Sequence, residues 1–128
     1  KESESEGAVV TFTGLVRDVN QGEQVSTLTL EHYPGMTEKS LAEIVLQAKQ
    51  RWPLGKVRLI HRVGPLKLSD QIVFVGVTSK HREAAFEACQ FIMDYLKNKA
   101  PFWKKETTQK GDKWVAFNEK DKVAASRW

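Results

Sequence analysis

Two lysines stand on either side of a helix end in the run Tyr95-Leu96-Lys97-Asn98-Lys99-Ala100-Pro101-Phe102-Trp103-Lys104-Lys105-Glu106, and they are the foremost candidates for chemistry in the chain. Lys97 falls in the last turn of an apolar helix. Lys104 lies just past Pro101, which must end that helix because it lacks an amide hydrogen and disfavours a helical residue before it. An ammonium group beside Phe102, Trp103 and other cations gives up its proton more readily than a free one, which suits it to act as a nucleophile or as a general acid or base. The plain alternative is that lysines near a helix C-terminus only complement its dipole. Local density tilts the balance: between Lys97 and Lys113 six lysines (97, 99, 104, 105, 110, 113) face Glu106 and Asp112, an excess of four that equals the formal net charge of the whole chain, +4. The basic character is therefore a property of one region, and it points to an anionic partner: a phosphate, a carboxylate, an acidic protein or a nucleic acid.

A second cationic pair, His81 and Arg82, opens the same helix. Free backbone N–H groups and the positive dipole end favour an anion there. Arginine adds bidentate phosphate recognition and histidine a donor that titrates near neutrality, although polar residues populate first turns in any protein. His81 and Lys97 are sixteen residues apart, so a continuous helix separates them by roughly 24 Å. One small substrate cannot touch both within a single chain. If both serve one site, a second copy must bring its helix start to the first copy's helix end, which means a two-fold dimer with shared pockets. No serine-histidine-acid, paired-carboxylate or glycine-loop pattern competes with lysine as the catalytic residue type, and the expected chemistry is acyl or carbonyl chemistry on an anionic substrate. Cys89 is alone, sits on the apolar face of the helix and reads as a small core residue. His32, His61 and His81 show no zinc spacing with each other or with Cys89, so no metal is expected.

The elements that must hold these residues follow from pattern. Ala8 to Val16 reads as a strand, with Gly14 marking a bulge or a close backbone approach and Arg17 at its exit. A second strand, about Val25 to Tyr33, is expected to form a hairpin with the first. Thr37 is the expected N-cap of a helix reaching Trp52 and stopped by Pro53. Lys56 to Val63 and Gln71 to Thr78 read as strands, the latter apolar enough to be central and covered on both faces, with a short extended piece, Leu66 to Leu68, between turns. Ser79 is the expected cap of the long helix. After a basic loop, Lys113 to Phe117 is a short strand. The predicted order is β-β-α-β-β-α-β, an α+β domain with two long helices on a mainly antiparallel sheet.

The 128 residues make one domain of ordinary size, with 41% hydrophobic and 28% charged residues as in a soluble globular protein. Residues 1–6 are expected to be a disordered lead-in, and 7–128 a single catalytic domain whose polar tail ends in Ser-Arg-Trp. A terminal tryptophan is costly to leave in water, so the tail is expected to dock on a partner. Further sequence is expected before Lys1, since the chain does not begin with methionine. A single cysteine and the lack of any apolar run near the roughly 20 residues of a bilayer span fit a cytoplasmic protein without a membrane segment.

Four segments together resemble the catalytic, large subunit family of molybdopterin synthase: Gly-Ala-Val-Val-Thr-Phe-Thr-Gly-Leu-Val-Arg (7–17), Leu-Glu-His-Tyr-Pro-Gly-Met (30–36), Val-Gly-Val-Thr-Ser-Lys-His-Arg (75–82) and Tyr-Leu-Lys-Asn-Lys-Ala-Pro-Phe-Trp-Lys-Lys-Glu (95–106). The resemblance runs from about Gly7 to the C-terminus. It implies an α/β-hammerhead-like fold and sulfur transfer. A small ubiquitin-like partner inserts a C-terminal Gly-Gly tail carrying a thiocarboxylate, and two transfers convert cyclic pyranopterin monophosphate into the dithiolene of molybdopterin. It also implies a central homodimer of large subunits within a heterotetramer, no cofactor, and no metal. Carried over by motif, Lys97 and Lys104 correspond to the essential lysines. Arg17, His81 and Arg82 correspond to substrate-binding positions, with His81 and Arg82 reaching the neighbour's pocket, and Lys104, Lys105 and Glu106 line the same site. Leu15 departs from the family, which has a lysine there, leaving backbone contact for Leu15 and Val16. Two rival classes remain at the level of residues. A nucleic-acid module would use lysines interleaved with Phe102 and Trp103, and a non-catalytic assembly subunit would not need Lys97.

Overall fold

The computed structural model describes residues 6–17, 19–20, 23–32, 34–99, 102–108, 111–114 and 128; for 19–20, 23–27, 99, 102–108 and 111–114 it describes the backbone alone. In chain order the elements are β1 (Ala8–Leu15), β2 (Val19–Asn20), β3 (Glu23–His32), α1 (Met36–Arg51), β4 (Leu54–His61), β5 (Gly64–Lys67), β6 (Gln71–Ser79), α2 (Arg82–Lys99), β7 (Phe102–Thr108) and β8 (Gly111–Trp114). The α+β class with two helices and antiparallel pairing matches the sequence pattern. The element order is longer than predicted, and the strands divide between two sheets.

The first sheet has the order β1-β6-β4, antiparallel throughout. β6 is central, as its apolar run requires, but only one face is fully covered. Val73, Val75, Val77 and Ser79 are buried toward the helices, while Ile72, Phe74 and Gly76 on the other face are half-buried. The second sheet is built on β3, which pairs with β7 along one edge and with β2 and β5 along the other; β8 extends it beyond β7. The expected hairpin between β1 and β3 is therefore replaced. β1 pairs with β6 from Ala8↔Ser79 to Leu15↔Gln71, and β3 turns back instead on β2, with Val19 opposite Gln24. The reason is nonlocal: β6 offers β1 an apolar partner along its whole length, whereas β2 already pairs with the start of β3.

Helix α2 lays Ala85, Ala88, Cys89, Ile92 and Leu96 on one face, and these pack with Val73, Val75 and Val77 of β6 and Ile44 and Ala48 of α1. The small residues among them let the helix approach the sheet closely, and each fully buried Val, Ile or Leu contributes about 1.5–3 kcal/mol. Neither predicted cap holds. Thr37 lies inside the first turn of α1 and is buried, and the helix start is closed by the Gly35 N–H donating to the Glu38 carboxylate at 2.6 Å. Gly35 has φ +85°, a conformation that suits glycine. Ser79 belongs to β6, and its hydroxyl donates to the Pro53 carbonyl at 2.8 Å, tying β4 to β6. No helix among the described residues is long and apolar enough to cross a membrane.

Trp128 packs on its own chain, while residues 115–127 of the expected partner-docking tail lie outside the described residues. The Trp128 ring meets Trp52 and Phe91 edge-on, with centroids 5.5 and 5.8 Å apart. Its indole N–H donates to Asp94 Oδ2 at 2.6 Å, and its carbonyl accepts from the Arg51 guanidinium at 2.8 Å. Arg51 in turn lies 4.6 Å over the Phe91 ring. These contacts clamp the second half of α2 to the end of α1, one turn before Lys97. Trp128→Ala is expected to lower unfolding stability by about 3 kcal/mol, and Trp128→Phe, which keeps the ring packing and loses the bond to a charged acceptor, by about half of that. Chemical denaturation, read as a shift in midpoint at constant slope, measures both.

Candidate functional site

The connection from β6 to α2 is only Lys80 and His81, so α2 must run back antiparallel along β6. Its start lies beside Ser79 and hence beside Ala8, their register partner; its end lies level with the start of β6, where β1 finishes. Arg82 opens the helix and His81 immediately precedes it, both exposed. Lys97 is exposed in the last turn. Because α2 is continuous from Arg82 to Lys99, one chain holds its two cationic groups at opposite ends, about 22 Å apart.

Leu15, Val16 and Arg17 belong to the Lys97 end. The register of β1 against β6 shifts between Gly14 and Leu15, which is the bulge that Gly14 signalled. A Cβ on Gly14 would stand 2.7 Å from Val73 Cγ1, so the close approach is real as well. Past the bulge, Val16 is 6% exposed and packs with Leu28 and Leu66. Its N–H donates to the Asp70 carbonyl at 3.0 Å, and its carbonyl accepts from the Ser69 N–H at 2.9 Å. The main chain of Val16 is thus engaged by the fold, and the residues presented outward are its neighbours, Arg17 and Leu15, the latter 54% exposed. An anchored residue between two exposed ones is what a bulge at a strand end produces.

Lys104, Lys105 and Glu106 are not in a loop. They lie in β7, opposite Leu30, Thr29 and Leu28 of β3. Strand pairing explains the difference: the exposed edge of β3 captures the seven residues from Phe102, and the β7–β8 hairpin completes the ladder. Of the predicted strand 113–117, residues 113 and 114 fall in β8 and 115–117 lie outside the described residues. Because Leu28 packs with Val16, the register brings 104–106 alongside the segment that presents Arg17. The chain gathers Leu15 to Arg17, Lys97 and 104–106 at one end, and leaves His81 and Arg82 at the other.

Sequence reasoning passed over a groove of about 530 Å³ lined by Met36, Lys39, Ser40, Glu43, Ile44 and Gln47 of α1 and by Tyr95 of α2. Its α1 positions recur at helical spacing and were legible as one face of the helix; that Tyr95, two residues before Lys97, closes the groove was not. Cys89 is buried, and burial raises its thiol pKa, so the thiolate that would be needed for nucleophilic work is depleted. Cys89 is accordingly expected to resist a small alkylating reagent at neutral pH in the folded chain and to react fully in denaturant, as intact-mass spectrometry would show.

The family model described as MoaE protein matches residues 1–99. The chain belongs to the MoaE family. Lys97 lies within the matched span, and Lys104 lies in the stretch covered by longer alignments. A molybdopterin synthase catalytic subunit from Escherichia coli (strain K12) is 65% identical over 127 residues, covering 99% of this chain and 85% of that protein. Among solved structures, molybdopterin synthase from Staphylococcus aureus superposes with a TM-score of 0.84 at 39% identity, covering 90% of this chain and 84% of that one. A complex of subunits 1 and 2 of molybdopterin-converting factor from Helicobacter pylori shares the fold, with a TM-score of 0.72 at 19% identity over 88% of this chain and 73% of that one. MoaE membership accounts for the α+β fold.

Proposed function

We propose that this chain is the catalytic subunit of a molybdopterin synthase, transferring sulfur from the thiocarboxylated C-terminus of a small ubiquitin-like partner to cyclic pyranopterin monophosphate and so forming the dithiolene of molybdopterin. The observation that carries the reading is the gathering of Arg17, Lys97 and the strand positions of Lys104 to Glu106 at one end of a MoaE-family fold. Both reactants are anions, and a cluster of cations held on regular elements is preorganised to receive them. The solved Helicobacter pylori relative is a complex of two subunits, which supports a small protein partner here. The groove between α1 and Tyr95, two residues before Lys97, is open to receive the partner's tail in this reading.

In this mechanism Arg17 binds the phosphate of the pterin, together with His81 and Arg82 of a second copy. Lys97 and Lys104 balance the charge of the thiocarboxylate and hold or move a proton as its sulfur bonds to a pterin carbon in place of an oxygen, after which water takes over the acyl carbon, the acyl–sulfur bond breaks and the tail leaves as a carboxylate; Lys105 and Glu106 complete the wall. The subunit needs neither metal nor cofactor of its own, acts in the cytoplasm, and binds no nucleic acid. Two large subunits form the centre of a heterotetramer with one small subunit at each end. The length of α2 supports the central dimer, since residues 81 and 82 can share a pocket with residue 97 only across two copies.

With thiocarboxylated partner and pterin precursor supplied, Lys97→Ala should reduce dithiolene formation by roughly 100-fold or more with folding intact. Lys97→Arg, which keeps the charge and cannot release the proton, separates charge balance from proton transfer. Turnover unchanged in Lys97→Ala would favour a non-catalytic assembly subunit. The shared pocket has its own test. Arg82→Ala and Lys97→Ala proteins, each inactive alone, should recover roughly a quarter of wild-type activity when co-assembled at random, because half the dimers are mixed and each mixed dimer has one intact site. No recovery would place both residues in the same copy's site.

A further inference from the structure

We propose that His32 is a further member of this site, donating a hydrogen bond through Nδ1 to an anionic group of the bound reactants. The proposal rests on the sulfur-transfer reading above and on two observations independent of it. His32 Nδ1 is sealed from solvent and has no hydrogen-bond partner, although the residue as a whole is half-buried. Buried polar atoms in folded proteins are nearly always paired, and one left without a partner forfeits most of what a hydrogen bond contributes. An imidazole serving only the fold is tied down, as His61 is, with Nδ1 2.8 Å from the Arg62 carbonyl oxygen.

The second observation is position. His32 is the last residue of β3 and pairs with Phe102, the first residue of β7, three positions after the end of α2 at Lys99. It therefore stands where the helix carrying Lys97 hands over to the strand carrying Lys104. Residues 28, 30 and 32 alternate onto one face of β3, with Leu28 and Leu30 buried, and Lys104 is the register partner of Leu30. Position 104 is thus the diagonal neighbour of His32, about 7–8 Å away in such pairs and somewhat less between Cβ atoms. An anion lodged between the two lysine-bearing elements lies beside the imidazole, and once it displaces the groups that seal Nδ1 from water, Nδ1–H, present in one neutral tautomer and in the imidazolium, gives it a donor. The anion is either the thiocarboxylate of the partner's tail or the phosphate of the pterin.

The test uses the assembled synthase with thiocarboxylated partner and pterin precursor, comparing wild type, His32→Asn and His32→Leu. Leucine removes the unpaired nitrogen, so the melting temperature should hold or rise while turnover falls about 10- to 100-fold, the loss of a hydrogen bond to a charged group. Asparagine, which places an amide near the position of Nδ1, should recover much of that turnover. A raised KM for the partner protein assigns the contact to the tail, a raised KM for the pterin assigns it to the phosphate, and a fall in kcat alone assigns it to the reacting group. Turnover unchanged in His32→Leu, or turnover and melting temperature falling together in both variants, overturns the proposal. The wild-type control keeps the two readings apart: no dithiolene from the unmodified protein sinks the sulfur-transfer assignment itself, whereas product from wild type and from His32→Leu alike sinks only the role of His32.

Discussion

The contact between α2 and β6 governs what this chain can do. Ala85, Ala88, Cys89 and Ile92 lie flat against Val73, Val75 and Val77, and the two-residue link between strand and helix leaves no freedom in direction. A helix packed in this way along its length neither bends nor shortens at small cost, because an interior glycine or proline would lose about 1 or 3 kcal/mol and any kink would open the apolar seam. The two cationic ends of the helix are consequently held apart by a rigid strut. The proposed site follows from which groups collect at each end, and the Lys97 end collects by far the more.

That collection is made by backbone pairing rather than by loops. The bulge after Gly14 turns the chain so that Val16 drops into a small apolar cluster with Leu28 and Leu66 while Arg17 stays outside. The ladder between β3 and β7 sets residues 104–106 against 30, 29 and 28. A strand fixes where its residues sit far more closely than a loop does, and preorganised charge is what electrostatic stabilisation of an anionic transition state requires. The Trp128 clamp adds to this from the opposite side of α2, with Asp94, Arg51 and Phe91 bracing the helix one turn before Lys97.

Local pattern made much of this legible. The apolar stripe of α2 and the proline after it located the helix and both of its cationic ends, and Gly14 announced its bulge because only a residue without a side chain fits so near Val73. Lys97 and Lys104 stood out by flanking the helix end beside Phe102 and Trp103 within a dense run of lysines. What escaped was nonlocal. Phe-Trp-Lys-Lys-Glu after a proline carries no signal that β3 lies ready to pair with it, so β7 read as a loop. The same blindness produced the false hairpin between β1 and β3. Thr37 and Ser79 had the residue types of caps, yet burial claimed one and the Pro53 carbonyl the other. Nothing in the sequence could show that the imidazole of His32 has a nitrogen without a partner, because that fact exists only in three dimensions.

The central claim is that one chain supplies only part of its own anion site and a twin supplies the rest. Pulsed electron resonance between spin labels at positions 82 and 97 measures this directly, with Cys89 too deeply buried to take a label. Within one copy the helix holds the two positions about 22 Å apart. Diluting a protein labelled at 82 with one labelled at 97 removes that intramolecular pair and isolates distances between copies. The account predicts a distinct intermolecular distance shorter than the length of the helix. Its absence, with no dipolar signal between the two singly labelled proteins, would contradict the account.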